Sequence, residues 1–200
     1  AGCTEVQIGL ESGDPGVLAN MNKQADPAMY REVIRKVLAH GINVSCYFIA
    51  GFPGETEETA AATRDFIRSI EYPEAEGALS WSIYPFILSP LSPVYEPGMR
   101  RKFGLQGYLH NWSHRSMNFS EAKKLVRTAF LELENSGPIY RGDNLSLLER
   151  FPAASRKSFF INRHRLSKKQ LTGQLTGDEI MKGLAGIGCL LRTEASLPGR

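Results

Sequence analysis

Ile8-Gly9-Leu10-Glu11-Ser12-Gly13 and Phe48-Ile49-Ala50-Gly51-Phe52-Pro53-Gly54-Glu55-Thr56-Glu57-Glu58, with one amphipathic helix between them, decide how this chain is read. Each stretch starts as an apolar strand and breaks into glycine and polar residues. That is how strands end at the carboxyl edge of α/β sheets and barrels, where ligands collect. Upstream of the first corner, Val6, Ile8 and Leu10 alternate with polar neighbours, a strand signal, and Glu11 to Gly16 is a dense turn signal. Asp26-Pro27 supplies a helix cap and a first-turn proline, and Tyr30, Val33, Ile34, Val37 and Leu38 follow at helical spacing until Gly41. A second strand runs over Ile42–Ile49, and its corner leads to a helix turning Phe66, Ile67 and Ile70 inward. A third strand is predicted at Leu79–Phe86. The succession is β-α-β-α-β with short corners, an α/β fold.

After the third strand, Pro85, Pro90, Pro93 and Pro97 argue against regular helix, so the segment from 85 to about 115 reads as a loop region. Asn118-Phe119-Ser120-Glu121 has the form of a capping box. The helix it opens carries Ala122, Leu125, Val126, Ala129, Phe130 and Leu133 on one stripe until Ser136-Gly137-Pro138 stops it. Beyond 138 the patterning weakens. A short helix is expected from Asp143 to Arg150 and another from Thr176-Gly177-Asp178-Glu179, with a domain boundary near 138 dividing 1–137 from an extension over 138–200.

Two hundred residues, 42% hydrophobic and 22% charged, suffice for a sizeable core and argue against disorder. There is no run of about 18 apolar residues and no basic-then-apolar leader pattern, so a cytoplasmic protein without a membrane segment is expected. Cys3, Cys46 and Cys189 are odd in number and far apart, which argues against a disulfide framework and equally against a self-contained metal site. Residues 1–137 carry 13 Lys/Arg against 16 Asp/Glu, whereas 138–200 carry 11 against 5. The basic cluster Arg156, Lys157, Arg163, Arg165, Lys168 and Lys169 reads as a solvated face rather than a nucleic-acid site.

Glu11 and Ser12 end the first strand, where a carboxylate and a hydroxyl either hold a ribose or amino-acid moiety or cap the next turn; the residues alone leave both open. Gly51 and Gly54 let backbone approach a ligand, and Pro53 fixes the bend. Glu55, Glu57 and Glu58 suit the positive end of a helix and speak against a phosphate cradle. His110 and His114 have the four-residue spacing of helical metal ligands, but no third ligand is near, and a structural or surface pair is the preferred reading. Trp81 and Trp112 read as core or pocket wall.

Taken together, Gly9-Leu10-Glu11-Ser12-Gly13, Met21-Asn22-Lys23, Gly41-Ile42 and Phe48 to Thr56 resemble the radical S-adenosylmethionine enzymes, from the fourth to the fifth strand of their partial (β/α)6 TIM-like barrel. Residues 81–95 resemble the proline-rich sixth strand, and with Asn111-Trp112-Ser113-His114 and Met117-Asn118 they resemble the cobalamin-binding subclass. The resemblance implies a carboxyl-terminal half-barrel followed by a mostly helical or irregular extension. It implies S-adenosylmethionine and a 4Fe-4S cluster as cofactors, with cobalamin as a third, and a 5′-deoxyadenosyl radical used in methyl transfer or rearrangement. The implied partners are a small-molecule or peptide substrate and an electron donor such as flavodoxin or ferredoxin; neither nucleic acid nor a membrane is expected.

By position, Glu11 and Ser12 match the family's ribose-contacting motif, Ile49 and Gly51 match the strand whose backbone lies against the adenine, and Phe48, Tyr84 and Pro85 would be wall residues. The family's Cys-x3-Cys-x2-Cys loop is absent from this sequence. The chain is therefore expected to be a piece of a longer enzyme, inactive by itself. The alternative is a non-catalytic barrel remnant serving as a nucleoside-binding or interaction module. Half a barrel is also expected to leave strand edges and an apolar sheet face uncovered.

Overall fold

A computed structural model describes residues 2–139 and 153–183. Three successive strands, β1 (Glu5–Glu11), β2 (Asn43–Ala50) and β3 (Leu79–Pro85), and a short β7 (Gly137–Pro138) form one sheet in the order β1-β2-β3-β7, every pair parallel. The connections are helical: α1 (Pro15–Asn20) and α2 (Pro27–Ala39) before β2, α3 (Glu57–Ser69) before β3, and α5 (Phe119–Glu132) before β7. Local chemistry fixes the helix starts. Asp26 accepts from the N–H of Ala28 with Pro27 in the first turn, and Thr56 and Asn118 each form a reciprocal capping box with the residue three further on. Helix α1 was hidden inside the expected turn. Asp14 caps it by accepting from the N–H of Val17.

Strand periodicity assigns the two faces of the sheet. On one face Leu10, Val44, Cys46, Phe48, Leu79 and Trp81 are buried against Ile34, Leu38, Phe66, Ile67, Ile70, Ala129 and Leu133 of the helical layer. On the other face lie Glu5, Gln7 and Gly9 of β1, Asn43, Ser45, Tyr47 and Ile49 of β2, and Ser80, Ser82 and Tyr84 of β3, aligned by the register Ser45↔Ser80, Tyr47↔Ser82 and Ile49↔Tyr84. One-sided helical cover on a parallel sheet is the wall of a partial TIM-like barrel, as the sequence predicts. The expected uncovered apolar face is corrected, because the open face is polar. Ser45 donates to Glu5 Oε1 at 2.6 Å and lies 2.9 Å from the hydroxyl of Ser80.

The segment expected to be loop from 85 to 115 is also corrected. It contains a 3-10 turn (Pro93–Tyr95), helix α4 (Pro97–Phe103) and an antiparallel meander of β4 (Gln106–Tyr108), β5 (Asn111–His114) and β6 (Met117–Asn118). Pro97 does not break α4 because it sits in the first turn, where its missing N–H has no partner to lose. Phe86, Leu88, Phe103, Leu105, Trp112 and Met117 pack with Val17, Phe52 and Ala122 as a second core at the carboxyl edge of the sheet.

Past α5, Gly137-Pro138 does more than stop a helix, for it adds β7 beside β3, and the N–H of Ile139 donates to the carbonyl of Trp81 at 2.7 Å. Helix α6 (Ala153–Leu171) packs on this edge. His164 is buried, donates from Nε2 to the carbonyl of Leu133 at 2.9 Å and stands edge-on to Trp81 and Phe130. Lys157, read from sequence as part of a solvated basic face, instead donates to the carbonyls of Tyr72, Pro73 and Ala75. Helical residues resume at 177 behind the Thr176–Glu179 cap read from the sequence. The helix expected at 143–150 and Cys189 lie outside the described residues. No described helix is long and apolar enough to cross a membrane.

Candidate functional site

At the end of β1 the ladder to β2 slips by one residue between Gly9 and Glu11, and Glu11 takes φ 66°. A non-glycine residue in the left-handed region costs about 1 kcal/mol or more, and such strain gathers at functional sites. Its effect is to bring the Glu11 carboxylate over the open face: a Cβ built on Gly9 would sit 2.5 Å from Glu11 Oε1. Lys23 holds it there, 3.2 Å from Oε1, while also donating to the carbonyl of Gly9. Asn22, at φ 56°, turns the chain so that the lysine can reach back. Both partners of this pair keep more than a quarter of their side-chain surface exposed.

Ile49 and Tyr84 are register partners on the same open face at the same edge, Tyr84 about half exposed, with Tyr47 one pleat below. Burial raises the Tyr47 phenol pKa, and the neighbouring Tyr84 and Glu5 add to the effect. The site thus offers a carboxylate, an ammonium, an aliphatic side chain and two phenols. A carboxylate suits a ribose diol, and apolar and aromatic surfaces suit a flat base. Tyr47, Ser82 and Lys23 were not picked out from the sequence as site residues. The alternation of Glu5/Gln7, Asn43/Ser45/Tyr47 and Ser80/Ser82/Tyr84 through three apolar strands is the signal that could have found this face.

Two of the sequence candidates face the other way. Ser12 is 1% exposed, its hydroxyl 3.2 Å from that of Thr63 and accepting from the N–H of Asp14, so it fixes the turn between β1 and α1. Phe48 has the parity of the helical face and packs edge-on to Phe66. The glycines of the second corner serve internal packing. Gly51 and Gly54 have φ 87° and 94°, and added Cβ atoms would meet Ala122 and Trp112, or Asn20 and Phe103, respectively.

Glu55 does not join Glu57 and Glu58 in the first turn of α3; it is 1% exposed and accepts from the N–H of Gly51. His110 and His114 lie at the two ends of β5 and have different partners: His110 lies against Phe119, and His114 is buried with Nε2 3.3 Å from the carbonyl of Gly51. Trp81 and Trp112 are both buried, as expected of core residues. Among the described residues no three His, Cys, Asp or Glu side chains could share a metal. Cys3 is exposed, and Cys46 lies in the main core with its thiol pKa pushed up to about 12 by burial.

Burial pushes the Glu55 carboxyl up to about 7, against the N–H of Gly51 that favours its anion, and pushes His164 down to about 4. A raised carboxyl contributes stability that is present below its unfolded value near 4.5 and is lost as pH rises toward 7. A lowered imidazole contributes stability that is present above 6.5 and is lost as pH falls toward 4. The two slopes oppose each other. Glu55→Gln should therefore gain stability over wild type between pH 4.5 and 7, on the order of 2 kcal/mol across the window, read from urea midpoints. A variant-minus-wild-type difference that is flat with pH would refute this.

Residues 1–67 match the family model of the Radical SAM superfamily. Among curated proteins, the chain is 32% identical over 75 residues to the tRNA-2-methylthio-N(6)-dimethylallyladenosine synthase of Clostridium botulinum, covering 36% of this chain and 17% of that protein. It is 38% identical over 76 residues to the bacteriochlorophyllide d C-12(1)-methyltransferase of Chlorobaculum tepidum, with the same coverages. The synthase of the same name from Geobacter sulfurreducens is 32% identical over 100 residues, 49% of this chain and 21% of that protein. The chain thus spans about a fifth or less of the length of these relatives.

Proposed function

We propose that the open face of the sheet binds S-adenosylmethionine as part of a radical enzyme that transfers a methyl-type group. The observation that carries this is the Glu11 carboxylate, held by a strained bulge and by Lys23 over a polar sheet face inside the matched segment. In this reading Glu11 accepts from the ribose hydroxyls, Ile49 and Tyr84 flank the adenine, and the backbone from Ile49 to Gly51 lies along its edge.

A 4Fe-4S cluster, when bound, supplies the electron for reductive cleavage of S-adenosylmethionine. Cys3 and Cys46 do not fit as its ligands, one being exposed before β1 and the other sealed in the core, so ligation in this proposal comes from outside the described residues. The names of the relatives, a methylthio-forming synthase and a methyltransferase, support group transfer. The cobalamin-binding subclass rests on the resemblance of residues 81–95 and 111–118 alone. A small-molecule or peptide substrate, a flavodoxin- or ferredoxin-type electron donor and a cytoplasmic setting belong to the same proposal.

The test is anaerobic reconstitution of the intact protein with iron and sulfide, then S-adenosylmethionine and reductant. 5′-Deoxyadenosine or S-adenosylhomocysteine is expected, and formation of neither would overturn the enzymatic reading. Binding without turnover would favour a nucleoside-binding module. Glu11→Gln should weaken S-adenosylmethionine binding about tenfold, the worth of roughly one charge-assisted hydrogen bond. Its thermal midpoint should barely move, because a partly exposed ion pair contributes at most about 1 kcal/mol.

A further inference from the structure

Gly51 is the residue at which β2 leaves the sheet. The ladder to β3 ends at Ala50, whose carbonyl accepts from the N–H of Phe86 at 2.7 Å. The polar groups of Gly51 are buried and have no strand partner, so each needs another. Glu55, four residues on, takes the N–H through Oε2. His114, sixty-three residues away on β5, takes the carbonyl through Nε2 at 3.3 Å.

The histidine is itself fixed. Its Nδ1 accepts from the N–H of Ser116 at 3.4 Å and lies 3.3 Å from the Ser116 hydroxyl, which leaves the proton on Nε2 and makes that nitrogen the donor to Gly51. Its ring lies parallel to Trp112, 5.3 Å between centroids and 5° between planes. Trp112 in turn presses on Gly51, where an added Cβ would come 2.7 Å from the indole, and donates from Nε1 to the carbonyl of Phe86 at 2.8 Å. One short corner is therefore held by a carboxyl from its own loop and by an imidazole from a separate meander.

We infer that Glu55 and His114 clamp the Gly51 corner from its two ends, and that His114 is a positioning residue for the adenosine subsite, setting the backbone from Ile49 to Gly51 at the height the base requires. The inference rests on the proposal that S-adenosylmethionine lies along this backbone. It also gives the meander over residues 105–118 a task, since through His114 the meander becomes part of the support of the site.

Two variants of the intact protein separate the hydrogen bond from the ring. His114→Phe keeps a flat ring against Trp112 and loses the donor; His114→Gln loses the ring and keeps an N–H donor. Equilibrium dialysis with S-adenosylmethionine should show binding about tenfold weaker in His114→Phe and restored to within about threefold of wild type in His114→Gln. Amide hydrogen exchange over residues 49–56 should be about tenfold faster in His114→Phe and near wild type in His114→Gln. Equal binding in both variants, whether at wild-type strength or equally weakened, would overturn the positioning role, because packing alone would then account for His114. If wild type itself does not bind, the adenosine reading fails and the positioning role with it. Exchange still decides the clamp in that case, and unchanged exchange in His114→Phe would overturn it too.

Discussion

Gly51→Val is expected to cost about 4 kcal/mol of folding stability, from left-handed backbone strain and overpacking together, and, on the proposed function, to abolish S-adenosylmethionine binding. The backbone at Gly51 has φ 87°, which a β-branched residue adopts only under strain. A Cβ would lie 2.6 Å from the Cβ of Ala122 and 2.7 Å from the Trp112 indole. Neither neighbour can yield easily. Ala122 is buried in the first turn of α5, whose start is fixed by the Asn118 capping box, and Trp112 is pinned by its hydrogen bond to the carbonyl of Phe86. Gly98→Ala is the control, since nothing lies within 4 Å of a Cβ there. Its effect should stay within about 1 kcal/mol, as for an ordinary helix position. Urea unfolding of the three proteins decides the matter, and a Gly51→Val midpoint close to that of wild type would refute the close approach.

Trp81→Ala should destabilise by about 4 kcal/mol, the usual cost of removing a buried tryptophan. Trp81 is 2% exposed, sits on β3 beside Cys46, donates from Nε1 to the hydroxyl of Ser136 at 3.0 Å and meets the His164 ring at 5.8 Å. Its loss empties the centre of the main core and removes a wall against which α6 packs. Trp81→Phe keeps most of the apolar volume and loses the hydrogen bond, so about 1 to 2 kcal/mol is expected. Trp112 remains in both variants as a fluorescent reporter for urea titrations. Equal midpoints for the two variants would mean that the ring volume contributes nothing beyond the hydrogen bond, contrary to this expectation.

The strands and the helices between them were legible because their signals are local. Asp26-Pro27, Gly41 and the Asn118–Glu121 box act within a few residues, and β1, α2, β2, α3, β3 and α5 stand where those signals predict. The region after Pro85 is not legible from proline content, because a proline in the first turn, as Pro97 is, does not break a helix, and because Leu88, Trp112 and Met117 acquire their core partners only in three dimensions. In the site, Ile49 and Tyr84 share the open face as strand parity allows, Glu11 reaches it through the bulge that ends β1, and the same parity turns Phe48 to the helices. The partners of Ser12 and Glu55 could not be read from composition. Thr63 is fifty-one residues from Ser12, and the burial of Glu55 depends on a fold that covers it.

Lys157 shows how one side chain can fasten a whole segment. Its ammonium gathers three carbonyls from the turn before β3, so the positive charge that seemed surplus in the carboxyl-terminal third is spent on backbone oxygens. Lysine acetylation would remove that charge and leave at most one N–H where an ammonium has three. The turn would then lose a shared anchor, and α6 would lose one of its ties to the segment between α3 and β3.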